Sequence, residues 1–161
     1  MKRAEAEKLI GKRVEGSISN WGRYVGTLVK ITNDKPFRAW IKVEEILELP
    51  TPYLTAKPKK KKPHLRITYP IEEGKIIEVS EYLLKPYNKP KRDYMSSLKE
   101  AIKNDLAKYK KEYESIKNAI KKYGEENPSF MEYLKFQLKL RERWIEIIKI
   151  WIDYYSLDFD V

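Results

Sequence analysis

The sequence contains few of the side chains on which enzymes depend for catalysis. There is no cysteine and one histidine, His64, which excludes thiol chemistry and the usual zinc sites. Carboxylate pairs such as Glu44–Glu45 and Glu72–Glu73 are adjacent in sequence, and adjacent side chains point apart in a strand. No phosphate-binding glycine loop, nucleophile elbow or metal-ligand spacing occurs. We therefore expect no enzymatic activity, no catalytic residue, no metal and no cofactor.

A cationic segment at residues 57–66, KPKKKKPHLR, is the strongest binding signal. Its six cationic side chains are Lys57, Lys59, Lys60, Lys61, Lys62 and Arg66. Lysine ammonium groups neutralise phosphates without reading base sequence, so the segment predicts nucleic-acid binding that weakens with salt. Prolines flank the lysines and predict a loop. The alternative is a solvated loop without a partner.

The charge of the chain supports a polyanionic partner. The formal net charge is +10, and residues 1–90 hold 19 Lys and Arg against 11 Asp and Glu. A basic region of this kind favours nucleic acid or an acidic protein surface. A lysine-rich solvated surface is the competing interpretation.

A turn at residues 19–24, SNWGRY, offers a second place for nucleic acid. Trp21 can stack on a base, and Arg23 and Arg38 can neutralise phosphates. This hypothesis requires Arg13, Arg23, Arg38 and the lysine-rich segment to converge on one face. In the alternative, which we favour for the aromatics, Trp21 and Tyr24 fold back onto the core.

The pattern of residues 128–155 predicts a long helix with two apolar stripes. One stripe contains Leu134, Leu138, Ile145, Ile148, Ile152 and Tyr155. The other contains Tyr133, Phe136, Leu140, Trp144, Ile147, Trp151 and Tyr154. The preceding helix uses one stripe, and the other must meet the sheet domain, a second copy or a partner. We expect the interface residues to be Trp144, Ile147, Trp151 and Tyr154, and the chain to form a homodimer.

The preceding segment, residues 93–123, predicts a second long helix with a single apolar seam. Asp93 is suited to cap its start and Gly124 to end it. Asn127 followed by Pro128 predicts the start of the last helix. The short connection makes the two helices antiparallel, so residues 91–161 are expected to form an αα-hairpin.

Residues 1–88 predict a small β-barrel domain with a short N-terminal helix. Period-two alternation is clearest over residues 37–43, and whether residues 44–49 extend that strand is left open. The strand order, with GKRV at 11–14, GTLV at 26–29 and EGK at 73–75, resembles that of SH3-like barrels in a general way. The expected fold class is α+β: an SH3-like barrel of five to six short strands followed by a long antiparallel helical hairpin.

These patterns together predict a non-enzymatic binding protein. The barrel contacts nucleic acid through the lysine-rich segment, and the hairpin mediates self-association. The alternative is a protein-interaction module, such as an assembly factor or inhibitor, that docks an acidic partner protein. The most apolar window, residues 144–155, still contains Glu146, Lys149 and Asp153, so no membrane span is expected. We expect the protein in the cytoplasm.

Overall fold

The computed structural model describes residues 1–51, 68–123 and 126–159. It is an α+β protein, with a five-stranded antiparallel sheet followed by two long helices. The described residues separate into two compact units, 1–51 with 68–101 and 102–123 with 126–159. The predicted α+β class is therefore confirmed.

The first unit contains a short helix and the whole sheet. Its elements are α1 (Arg3–Lys8), β1 (Arg13–Ile18), β2 (Gly22–Ile31), β3 (Arg38–Glu48), β4 (Ile76–Ser80), a 3-10 turn (Glu81–Leu83) and β5 (Lys85–Pro86). All neighbouring strands are antiparallel, in the order β4-β3-β2-β1-β5. Residues 68 and 69 are not in a strand.

The long third strand forms the centre of the core. Ala39, Ile41 and Val43 are fully buried on one face, as the alternation predicts. The strand continues to Glu48, so the segment whose structure the sequence left open extends β3. Register shifts against β2 accompany this extension, and they bend both strands.

The sheet is curved but open. A methyl group at Gly16 of β1 would lie 2.7 Å from Cγ1 of Val79 in β4 and 3.0 Å from Cδ1 of Ile41. The two strands therefore face each other across a narrow core, although β2 and β3 separate them in the sheet. No pairing joins β4 to β5 in the described part of the chain, so the expected closed barrel is not confirmed.

The helices are α2 (Tyr94–Tyr123) and α3 (Pro128–Tyr154), and the first two turns of α2 belong to the first unit. The Asn127 side chain accepts hydrogen bonds from the amides of Ser129 (3.1 Å) and Phe130 (3.3 Å), which is the predicted cap. Asp93 likewise accepts from the Ser96 amide at 3.3 Å. Gly124 lies outside the described residues.

Two contacts establish that the helices of the second unit are antiparallel. The ring centroids of Tyr109 and Trp144 are 5.1 Å apart, and Nε of Arg141 lies 3.7 Å from Oε2 of Glu112. Partner numbers fall on α3 as they rise on α2, which is the antiparallel order of an αα-hairpin. No helix in the described ranges is both long enough and apolar enough to cross a membrane.

Candidate functional site

The exposed aromatic residues of α3 form the main candidate for a binding surface. Tyr133 and Phe136 are 57% and 61% exposed, whereas Ile147 and Trp151 further along the same predicted stripe are 0% exposed. Phe130 is also exposed, and its ring stacks on that of Tyr133 with centroids 6.3 Å apart. We call Phe130, Tyr133 and Phe136 the aromatic side. The stripe is therefore exposed at its start, buried at Ile147 and Trp151, and exposed again at Tyr154.

The four predicted interface residues do not share one environment. Ile147 and Trp151 are fully buried, and Tyr154 is exposed. Trp144 is half-buried between the Tyr109 ring and the Arg141 guanidinium, whose carbon lies 4.8 Å from the Trp144 ring centroid. Of the four, only the Tyr154 side chain is mostly accessible to another molecule.

The arginines proposed to bind phosphate are occupied by carboxylates. Arg23 contacts Glu15 at 3.1 Å and Glu48 at 3.2 Å. Arg38 contacts Glu78 at 2.7 Å and Asp34 at 3.2 Å. These exposed pairs contribute little to folding, but each lowers the positive potential available to a polyanion.

The structure does not bring Arg23 and Arg38 together. Arg23 pairs in register with Glu48, the last residue of β3, whereas Arg38 is the first residue of that strand. Ten residues of extended chain place them roughly 30 Å apart along β3. Arg23 and Arg38 therefore lie toward opposite ends of β3, and their convergence with the lysine-rich segment stays a prediction. Lys57, Lys59, Lys60, Lys61, Lys62 and Arg66 lie outside the described residues.

Arg13 belongs to a buried ion-pair cluster. Its guanidinium binds the carboxylate of Glu45, which is 0% exposed and also accepts a hydrogen bond from Nε of Arg92 at 3.1 Å. Arg13 lies over the Tyr87 ring at 5.2 Å. A buried carboxylate needs such partners because an unpaired charge is costly in the interior. This cluster links the sheet to the segment that precedes α2.

In the turn at residues 19–24, one aromatic side chain is buried and the other is accessible. Tyr24 is fully buried, donates its hydroxyl hydrogen to the Trp21 carbonyl at 2.6 Å and accepts from the Ile71 amide at 2.9 Å. Burial raises the pKa of Tyr24 to about 12. Trp21 is 46% exposed. One of the two aromatics thus packs into the core and the other remains accessible.

A shallow groove of about 250 Å³ lies on the outer face of β3 and β4, lined by Trp40, Ile76, Ile77 and Glu78. The Lys30 ammonium lies 4.8 Å from the Trp40 ring centroid. No group of three His, Asp or Glu side chains in residues 1–51, 68–123 and 126–159 is arranged to hold a metal ion.

Comparison with known proteins adds information on the fold. No family model matches this chain, and no curated protein matches it. Among solved structures, it is similar to the X-ray crystal structure of kinase-associated protein B from Bacillus cereus. The TM-score is 0.56 with 20% sequence identity, over 92% of this chain and 97% of the other. At this identity, the similarity supports the shared architecture of a sheet followed by two helices.

Proposed function

We propose that this chain is a non-enzymatic protein-interaction module whose helical hairpin is the docking element. The observation that carries the proposal is the exposure of the aromatic side on α3, with Tyr133 57% and Phe136 61% exposed. Monomeric proteins rarely expose contiguous large apolar side chains, and aromatic residues are enriched in interfaces. The solved structure that is similar to this chain carries the name of a kinase-associated protein, which agrees with association as the class of function.

The occupant we propose for the aromatic side is the same side of a second copy. Phe130, Tyr133 and Phe136 lie on successive turns of one helix, so two copies can pair them about a two-fold axis. A two-fold interface needs only one self-complementary patch, which a row of aromatic side chains provides. The sequence-based prediction of a homodimer is retained, with its interface moved from Ile147 and Trp151 to the aromatic side.

Light scattering at several concentrations tests this proposal with the double variant Tyr133→Ser, Phe136→Ser. We expect the wild type to form dimers of twice 19.3 kDa at micromolar concentration and the double variant to remain a monomer. The matched control is Tyr82→Ser, because Tyr82 is 72% exposed but lies in the first unit. It should dimerise as the wild type does. A wild type that stays monomeric throughout would overturn the proposal.

Nucleic-acid binding is the second candidate function, and the lysine-rich sequence at residues 57–66 favours it. Replacement of Lys59, Lys60, Lys61 and Lys62 by Ala should weaken binding to unrelated oligonucleotides. It should also reduce the slope of log affinity against log salt by up to about 0.9 for each duplex phosphate that the variant no longer neutralises. Fluorescence anisotropy at several salt concentrations measures both effects. If the wild type does not bind at low salt, nucleic acid is not the partner.

We further propose that the sheet is an open relative of SH3-like barrels. Its strand order β4-β3-β2-β1-β5 and the 3-10 turn between β4 and β5 support this relationship. Small β-barrels serve many functions, so the relationship does not choose between the two candidates. A cytoplasmic location stays a prediction from the sequence.

A further inference from the structure

A contact between Tyr113 and Glu142 identifies a second surface on the hairpin. The Tyr113 hydroxyl lies 3.4 Å from Oε1 of Glu142 and joins α2 to α3. Lys110 and Lys117 are three and four residues from Tyr113, so they lie on the same side of α2. Lys103 is one heptad before Lys110 and continues the row. The three lysines are exposed and about 10 Å apart.

Helix α3 contributes a matching row. Lys135 and Lys149 are each seven residues from Glu142, and all three side chains are exposed. Leu138 and Ile145 are four and three residues from Glu142 and are half-buried. The two helices therefore border a groove with an apolar floor, formed by Tyr113, Leu138 and Ile145. We call this groove and its charged borders the lysine side.

The lysine side is positively charged along its α2 border and carries charges of both signs along its α3 border. Its five lysines are Lys103, Lys110, Lys117, Lys135 and Lys149. None of them forms an ion pair with a carboxylate in the part of the chain that the structure describes. Glu142 lies in the α3 row and contacts Tyr113. Two further exposed acids, Glu114 and Asp153, are four residues after Lys110 and Lys149 and lie on the same sides of the two helices. The unpaired lysines of the α2 border favour an acidic occupant.

The lysine side is separate from the aromatic side. Tyr133 precedes Glu142 by nine residues, which is two and a half helical turns, so the two side chains project in opposite directions from α3. On α2, the contact between Glu112 and Arg141 lies away from the lysine row, because Glu112 follows Lys110 by two residues. The hairpin can therefore engage two partners at once.

We propose that the lysine side binds an acidic amphipathic helix of another protein. A groove between two antiparallel helices fits a third helix, whose apolar stripe packs on the floor. Glutamate or aspartate residues that flank this stripe at heptad spacing would meet the three lysines of the α2 border. The apolar floor distinguishes this occupant from nucleic acid, whose backbone would leave Leu138 and Ile145 without apolar contacts.

This inference rests on the proposed function, because it assigns a partner to the same hairpin, but its test uses different residues. The probe is a helical peptide of about four heptads, roughly the length of α3, with leucines on one face and glutamates beside them. A second peptide carries lysine in place of each glutamate. We expect the acidic peptide to bind the full-length protein in fluorescence anisotropy, with affinity that falls as salt rises. The basic peptide should not bind.

Two matched variants locate the binding surface. The triple variant Lys103→Glu, Lys110→Glu, Lys117→Glu should weaken binding of the acidic peptide by about tenfold or more. The reason is that its new carboxylates repel the glutamates of the peptide. The control variant Lys108→Glu, Lys111→Glu, Lys122→Glu changes the net charge equally on the sides of α2 away from the lysine row. It should bind as the wild type does. Lys110→Gln with Lys117→Gln, which reverses no charge, should give a smaller loss. Circular dichroism verifies that each variant is helical.

Three outcomes would overturn the proposal. The first is that the acidic peptide does not bind at concentrations up to about 1 mM, and the second is that both triple variants lose affinity for it equally. The third is that a DNA duplex binds through Lys103, Lys110 and Lys117 while the peptide does not bind. None of these outcomes concerns the aromatic side. The light-scattering result for Tyr133 and Phe136 therefore stands or fails separately.

Discussion

At the scale of single residues, Tyr24 couples the stability of the fold to pH. Burial raises the pKa of its phenol to about 12, whereas the unfolded chain titrates near the ordinary value of 10.0. The folded state therefore holds this proton more tightly. The stabilisation is complete below pH 10 and is lost as pH rises from about 10 to about 12. We expect Tyr24 to contribute a loss of about 2 kcal/mol over this range, measured as the difference between the wild type and Tyr24→Phe in urea unfolding at several pH values.

A variant without the phenol hydroxyl isolates the contribution of Tyr24. Tyr24→Phe should be less stable than the wild type at neutral pH, because it lacks the hydrogen bonds to the Trp21 carbonyl and the Ile71 amide. Above pH 10, its free energy of unfolding should fall less steeply than that of the wild type. Tyr82→Phe should behave as the wild type, because Tyr82 is 72% exposed. If the free energy of unfolding fell as steeply in Tyr24→Phe as in the wild type, another group would cause the pH dependence. Tyr109 is the next candidate. Burial and then the charges of Asp105 and Glu112 raise the pKa of Tyr109 to about 12.

The tryptophans of α3 should differ in their effect on stability. Trp151 is 0% exposed, so Trp151→Ala should lower the free energy of unfolding by about 3–5 kcal/mol. Trp144 is half-buried, and Trp144→Ala should cost roughly half as much. Denaturant unfolding followed by circular dichroism measures both. Equal losses for the two variants would show that the Trp144 side chain is as buried as that of Trp151.

The sequence could not identify which individual cations are available for binding. Arg23 and Arg38 look like free cations in a linear pattern, and their partners Glu15, Glu48 and Glu78 become neighbours only through strand pairing. The burial of Glu45 between Arg13 and Arg92 has the same cause. Charge pairing across strands depends on register, which period-two alternation does not specify beyond the choice of face.

At the scale of elements, the start of α3 depends on its cap. The Asn127 side chain satisfies the amides of Ser129 and Phe130, so Asn127→Ala should lower the free energy of unfolding by about 1 kcal/mol. Asn118→Ala is the matched control, because Asn118 is exposed in the middle of α2. It should be neutral or slightly stabilising, since alanine favours helix more than asparagine does. Urea unfolding of both variants measures the difference, and equal losses would contradict the capping role.

The helices were predicted more accurately than the sheet because their boundaries carry local signals. Asp93 and Asn127 mark the helix starts through hydrogen bonds within three residues, and the sequence places both helices within about two residues of their observed ends. The closure of the sheet depends on contacts between distant residues. Gly16 approaches Val79 across the curved core, and no pattern near either residue predicts it. The sheet is therefore confirmed, whereas the closure of the expected barrel is not.

At the scale of the whole molecule, the hairpin is the element with an exposed apolar surface that has no partner within the hairpin. The sequence indicated this surplus, because three apolar stripes on two helices leave one without a partner after the hairpin forms. It did not indicate which part of the stripe is exposed, and the predicted interface included the buried residues Ile147 and Trp151. The lengths of the two helices indicate that part of the hairpin stays exposed. Two helices of about 45 Å are longer than a domain of about 30 Å can cover, so their lengths alone predict that some turns stay exposed.

The two sides of the hairpin have different proposed partners. The aromatic side pairs with a second copy, and the lysine side accepts an acidic helix. Their independence predicts that Tyr133→Ser with Phe136→Ser abolishes dimerisation but leaves the affinity for the acidic peptide unchanged. Light scattering and peptide anisotropy on the same preparation measure this separation. A large loss of peptide affinity in that variant would contradict the two-sided arrangement.

The most direct test of docking through the hairpin is the concentration dependence of the backbone amide NMR spectrum. Self-association through the aromatic side predicts that amide signals of residues 128–140 shift as the protein is diluted across the concentration range in which light scattering shows the dimer to dissociate. Signals of the sheet and of the lysine row on α2 should stay in place. Amide signals that do not change over this range, or changes confined to the sheet, would contradict docking through the hairpin.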